Sequence, residues 1–145
     1  MEKTGLMDEE SLVLEFIKQQ KLAVVSTINK NGKPQAAVVG FGQTDKFELI
    51  FGTDNTSRKY SNLQNNPNVA VVIGWDNNIT VQLEGVAKEL RPEGLDLIRD
   101  NYWSKVPSAK KYDTNRSQRY FIIKPTWIRY CDLNQKFWEI ITLNF

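Results

Sequence analysis

The chain has 145 residues, with 19 basic and 17 acidic side chains, a net charge of +2, one cysteine and no histidine. That length suits a single domain over residues 1–145, one able to bury roughly 68–70% of the surface its unfolded form exposes. A lone Cys131 excludes an intrachain disulfide, the missing histidine excludes Ser-His-Asp hydrolysis, a Cys–His pair and ordinary zinc sites, and near-neutral charge argues against a nucleic-acid stripe.

No apolar run approaches the roughly 18 residues of a membrane span. The opening residues, Met1-Glu2-Lys3-Thr4 through Asp8-Glu9-Glu10, are too polar for a signal peptide, so a soluble, cytoplasmic protein is expected.

Asp8-Glu9-Glu10 followed by Leu12, Leu14, Phe16 and Ile17 predicts an amphipathic helix with acids in its first turn, ending near Lys21. Leu22 to Ile28 reads as a strand, Asn29-Lys30-Asn31-Gly32 as a turn and Pro34 to Phe41 as the returning strand of a hairpin. A second turn at Gln43-Thr44-Asp45-Lys46 leads into a strand from Phe47 to Thr53. A short helix follows, stopped by Asn65-Asn66-Pro67 because proline cannot continue it, and Asn68 to Ile73 is the next strand.

Asp76-Asn77-Asn78 turns the chain into Ile79 to Glu84, and Gly85 within that strand run predicts a bulge or a tight barrel bend. Arg91-Pro92-Glu93-Gly94 opens a second helix carrying Leu95, Leu97, Ile98 and Tyr102, and Trp103 to Asn115 is a polar connector. Tyr120 to Ile123 and Trp127 to Tyr130 flank Pro125, where an interruption or edge is expected, and Phe137 to Ile141 is the closing strand. Hairpin-linked strands with no crossover helix before Ser57 point to an antiparallel barrel rather than a doubly wound sheet.

Thr53 to Thr56 supplies small polar cap residues, which puts Ser57, Arg58 and Lys59 in the first turn of the short helix. A helix N-terminus carries partial positive charge, so two cations there are misplaced by roughly 0.3–1 kcal/mol each at an exposed site. A phosphate would compensate them through the free amides, the Ser57 hydroxyl and charge-assisted bonds from Arg58 and Lys59, each worth about 1.5–3 kcal/mol when desolvated. A solvated Arg-Lys pair fits the spacing equally well.

The pattern Phe51-x-Thr53-x-x-x-Ser57-Arg58-Lys59-x-x-x-Leu63-x-x-Asn66-Pro67-x-Val69-Ala70, then Trp75 and Leu83-Glu84-Gly85-Val86, resembles the pyridoxamine 5′-phosphate oxidase family of flavin-binding split barrels, in its short general-stress-protein branch. The resemblance implies a mainly β fold with flanking helices, a six-stranded antiparallel split barrel that pairs as a homodimer with FMN in clefts between subunits. It places the FMN phosphate and ribityl chain on Thr53, Ser57, Arg58 and Lys59, and the isoalloxazine edge along the backbone of Ala37, Val38 and Val39.

Departures from the family pattern bear on the reaction. Thr80 stands where the true oxidase carries a Gln, and the basic residue usual on the second strand is missing from Gln35 to Gly40. Phe137-Trp138-Glu139 resembles the oxidase's Phe-Trp-Gln, which makes Trp138 the best ring-contact candidate among the four tryptophans, but the Arg-Leu-His that follows there is absent. In Tyr102-Trp103-Ser104-Lys105-Val106-Pro107, which resembles the substrate loop, the substrate-phosphate Arg is replaced by Val106. These differences argue against pyridoxamine phosphate oxidation.

What the resemblance implies is an FMN-dependent oxidoreductase that takes hydride at flavin N5 from a substrate or a reduced nicotinamide, with no assigned general acid or base. A non-catalytic flavin-binding or sensing stress protein stays open, as does a split barrel holding heme or a deazaflavin. Arg58 and Lys59 favour a phosphate-bearing ligand over heme.

Overall fold

The computed structural model describes residues 7–145, so the signal-peptide reading of Met1 to Thr4 lies outside the described residues. The chain runs α1 (Glu9–Gln19), β1 (Leu22–Ile28), β2 (Pro34–Gly40), β3 (Gly42–Gln43), β4 (Leu49–Asp54), α2 (Arg58–Asn65), β5 (Asn68–Ile73), β6 (Ile79–Glu89), α3 (Leu95–Ile98), β7 (Gln118–Asp132) and β8 (Glu139–Asn144). A 3₁₀ turn at Pro92–Gly94 precedes α3, a π-helical turn at Arg99–Trp103 continues it, and a 3₁₀ segment at Pro107–Thr114 leads to β7. Among the described residues no helix is long and apolar enough to cross a membrane.

All strand pairs are antiparallel, in the order β2-β1-β5-β6-β7-β4-β3, with β8 also on β7. The length of β7 makes the curl possible: Gln118–Ile123 pairs with β4, Trp127–Asp132 pairs with β8, and the opposite edge pairs with β6. Among the described residues the sheet therefore has eight strands rather than six. One addition is β3, read from sequence as a turn. A Cβ on Gly42 would lie 1.9 Å from the Asn101 carbonyl oxygen, so glycine lets the helical segment close over that strand.

The bulge expected at Gly85 and the interruption expected at Pro125 are one feature. Glu84 faces Trp127 and Gly85 faces Pro125, which leaves Thr126 as the extra residue. Its hydroxyl donates to the Glu84 carbonyl at 3.1 Å. The slipped register accommodates a proline that has no N–H for the ladder, and a Cβ on Gly85 would come within 2.5 Å of the Lys124 carbonyl oxygen.

Strand alternation sends Val25, Val71, Ile73, Val81, Leu83, Phe51, Phe121 and Ile123 into one core, capped by Val13 and Ile17 of α1. A second cluster, with Ile50, Ile98, Tyr102, Trp103, Tyr120 and Ile122, lies beneath the helical segment of residues 92–114. β6 runs on to Glu89, past the Glu84 at which that strand was expected to end, and three further features differ from expectation. Phe47 sits in a turn at φ 65 rather than in a strand, the second helix is broken into 3₁₀, α and π turns, and the last strand begins at Glu139, after Phe137 and Trp138.

Candidate functional site

The loop from β4 to α2 is fixed by its own short polar side chains. Asp54 Oδ1 accepts from the Thr56 amide at 2.8 Å and its hydroxyl at 2.6 Å, and Asp54 Oδ2 accepts from Ser117 Oγ at 2.6 Å. These bonds, Ser117 foremost, hold the Asp54 carboxyl down at about 2. Ser57 caps α2, its Oγ accepting from the Tyr60 amide at 3.2 Å while lying 2.8 Å from Thr53 Oγ1.

That hydroxyl pair has one proton to spare. If Thr53 donates to Ser57, the Ser57 oxygen already accepts twice and its own proton points elsewhere; if Ser57 donates, the Thr53 proton is left over. Either arrangement presents a hydroxyl donor beside the first turn of α2, where Arg58 and Lys59 stand as the sequence predicts.

Neither cation has a carboxylate partner among the described residues. Burial lowers the Lys59 amine, and the Arg58 charge beside it lowers it further. Both face a cleft of about 80 Å³ whose other wall is Thr27, Gln35, Ala36 and Ala37 of the β1–β2 hairpin. Donors in excess, cations without acids and a positive helix end together suit a phosphate.

The spacing of that cleft depends on a residue that sequence reasoning missed. Asn62, buried on α2, donates through Nδ2 to Thr27 Oγ1 and to Gln35 Oε1, both at 2.9 Å, so the helix is bolted to the hairpin. The available signal was its position four residues after Arg58, on the same helix face.

Along β2, Ala37 is half-buried and lines the cleft, Val39 turns its side chain into the core, and Val38 turns outward with 59% exposure. Thr80 and Trp138 stand apart from this group. Thr80 is the second residue of β6, opposite Cys131, which in turn faces Ile140, while Trp138 immediately precedes β8 and is 64% exposed. Glu89, at the other end of β6, is the residue that meets α2, through the Tyr60 hydroxyl at 3.4 Å. Nine residues of strand, roughly 30 Å, separate the two ends. The structure thus joins Thr53, Ser57, Arg58, Lys59 and Ala37 in one place, and leaves Thr80 and Trp138 at the opposite end of the same chain.

A family model described as "Pyridoxamine 5'-phosphate oxidase" matches residues 10–132, and the chain belongs to that family. The chain spans about half the length of the curated relatives it matches. One is the pyridoxine/pyridoxamine 5′-phosphate oxidase of Citrobacter koseri, 26% identical over 117 residues that make up 79% of this chain and 52% of that one. Among solved structures, general stress protein 26 from Bacillus anthracis is 28% identical with a TM-score of 0.73, over 94% of this chain and 100% of that one.

Two further structures share the fold at lower identity. A heme binding protein from Mycobacterium smegmatis has a TM-score of 0.81 at 16% identity, covering 96% of this chain and 59% of that one. A pyridoxamine 5′-phosphate oxidase-related, FMN binding protein from Nostoc punctiforme has a TM-score of 0.68 at 14% identity, covering 97% and 98%.

Proposed function

We propose that this protein is an FMN-binding oxidoreductase working as a homodimer. The observation that carries the reading is the pair of cations at the start of α2, held without an acidic partner against the β1–β2 hairpin. Arg58 and Lys59 would grip the FMN phosphate, the Thr53–Ser57 pair would donate its spare proton to the phosphate or the ribityl chain, and the backbone of Ala37, Val38 and Val39 would run along the ring edge. When bound, FMN supplies hydride acceptance at N5 from a substrate or a reduced nicotinamide. The family membership supports this reading, as does the name of the Nostoc relative.

The alternative suggested by the mycobacterial heme binding protein is less favoured, since the chain has no histidine, the commonest axial ligand, and offers two cations to a phosphate instead. A second copy of the chain would complete the site. The outward face of β2-β1-β5-β6 carries Val24, Val38 and Val72, an apolar surface suited to self-association, and a partner could deliver Thr80 and Trp138, which this chain cannot bring to its own clamp.

Absorption spectroscopy of the purified protein before and after adding FMN tests the cofactor. Saturable binding with a perturbed flavin band supports the reading. No binding after titration overturns it and leaves the barrel without an assigned ligand. Anaerobic bleaching by a reduced nicotinamide then separates a working oxidoreductase from a flavin-holding protein that does not turn over.

A further inference from the structure

A second cavity, of about 800 Å³, opens on the outer side of the β6 and β7 ends and is roofed by the segment around α3. Its apolar wall is Leu90, Leu95 and Ile98, and its floor is Tyr120. Volumes of roughly 300–1,000 Å³ are typical of small-molecule sites.

The charges around it are unevenly matched. Of the two acids, Asp113 accepts from the Tyr120 hydroxyl at 2.9 Å, and Glu89 pairs with Arg119 at 3.7 Å while accepting from Tyr60. Both are engaged. Lys88 and Arg91 also line the cavity, and neither has a carboxylate partner among the described residues. An apolar wall bounded by two unmatched cations selects an occupant with an apolar body and one anionic group.

We propose that this cavity is a second ligand site, distinct from the α2 cleft, and that it takes a small amphipathic anion: an aromatic or aliphatic body lying on Leu90, Leu95 and Ile98, with a carboxylate- or sulfonate-like group between Lys88 and Arg91. The site does not depend on the flavin reading, because it shares no lining residue with the cleft at Arg58 and Lys59.

The test is fluorescence titration with 8-anilinonaphthalene-1-sulfonate, an aromatic anion of this shape, alongside its uncharged counterpart N-phenyl-1-naphthylamine. The sulfonate should bind saturably at one equivalent per chain. Lys88→Gln with Arg91→Gln, both exposed positions that leave the fold untouched, should weaken it about tenfold through loss of charge-assisted contacts, while the uncharged dye is indifferent to the change. Saturating FMN should leave the titration unaltered. Non-saturating fluorescence, unchanged affinity in the double variant, or displacement by FMN would each overturn the proposal, the last by assigning the dye to the cleft at α2.

Discussion

The two longer described helices of this fold are capped alike but carry charges of opposite sign in their first turns. In α1, Asp8 accepts from the Ser11 amide at 2.7 Å, Glu9 and Glu10 occupy the first turn and Lys18 the last. From the connector, Lys105 adds a further amine at the same end, donating to the Ile17 carbonyl at 3.2 Å. Every one of these charges agrees with the helix dipole. In α2 the cap is Ser57, the first turn holds Arg58 and Lys59 with no acid, and the last turn holds no base. The first helix is arranged for its own stability; the second gives up roughly 0.3–1 kcal/mol per cation, an arrangement that favours an incoming anion.

Removing the misplaced cations should produce the largest effect. Arg58→Ala with Lys59→Ala is expected to weaken FMN binding by about 3–6 kcal/mol, the sum of two charge-assisted contacts of about 1.5–3 kcal/mol each. Urea denaturation of the flavin-free double variant should show a protein as stable as the parent, or slightly more so. Lost stability alongside lost affinity would make these cations structural and dissolve the contrast with α1.

Asn62→Ala comes next. It leaves Thr27 Oγ1 and Gln35 Oε1 without their common donor, at a cost of about 1–3 kcal/mol in the unfolding free energy from urea denaturation, and frees α2 from the hairpin so that FMN affinity falls as well. An unchanged FMN affinity would show that the cleft does not need the bolt.

Local signals made most of this fold readable. The Asn29 to Gly32 turn and the stop at Pro67 act through neighbouring residues and fall where the spacing puts them, whereas the cap of α2 is Ser57 itself, one step beyond the Thr53 to Thr56 stretch expected to supply it. The slip at Gly85 was legible too, because a glycine inside a strand marks a close backbone approach. What escaped was set by partners distant in sequence. Gln43 joins a strand only because Leu49 lies opposite, and the π turn of Arg99–Trp103 follows from packing Tyr102 and Trp103 on Tyr120. At the candidate site, Arg58 and Lys59 stood out because they break a local rule. Asn62 breaks no local rule, and although its spacing from Arg58 puts it on the same helix face, its partners Thr27 and Gln35 lie far off in sequence and carry no local signal. That Thr80 and Trp138 lie at the far end of β6 is a matter of register, which no motif carries.

Two smaller tests sharpen the comparison from the α1 side. Burial holds the Lys105 amine at about 7 against an ordinary 10.5. Between those values the unfolded chain keeps a proton that the folded chain releases, so stability should rise with pH across that window; below it both states are protonated and the burial cost is fully present. Partial exposure of the side chain discounts the effect to about 1 kcal/mol. Lys105→Met should flatten most of the slope in urea midpoint across the same window, leaving the smaller contribution of the Lys59 amine, which burial also lowers; a variant with an undiminished slope would assign it to another group.

The last effect is the smallest and has opposite signs in the two helices. Glu10→Gln takes a favourable charge from the first turn of α1 and should lower stability by about 0.3–1 kcal/mol, whereas Arg58→Gln takes an unfavourable one from the first turn of α2 and should raise it by a similar amount. Both shifts should fade near 1 M salt, where screening shrinks to about 3 Å. If Arg58→Gln destabilises the flavin-free protein instead, the guanidinium is supporting the helix rather than waiting for a phosphate, and the difference in charge order between α1 and α2 loses its functional meaning.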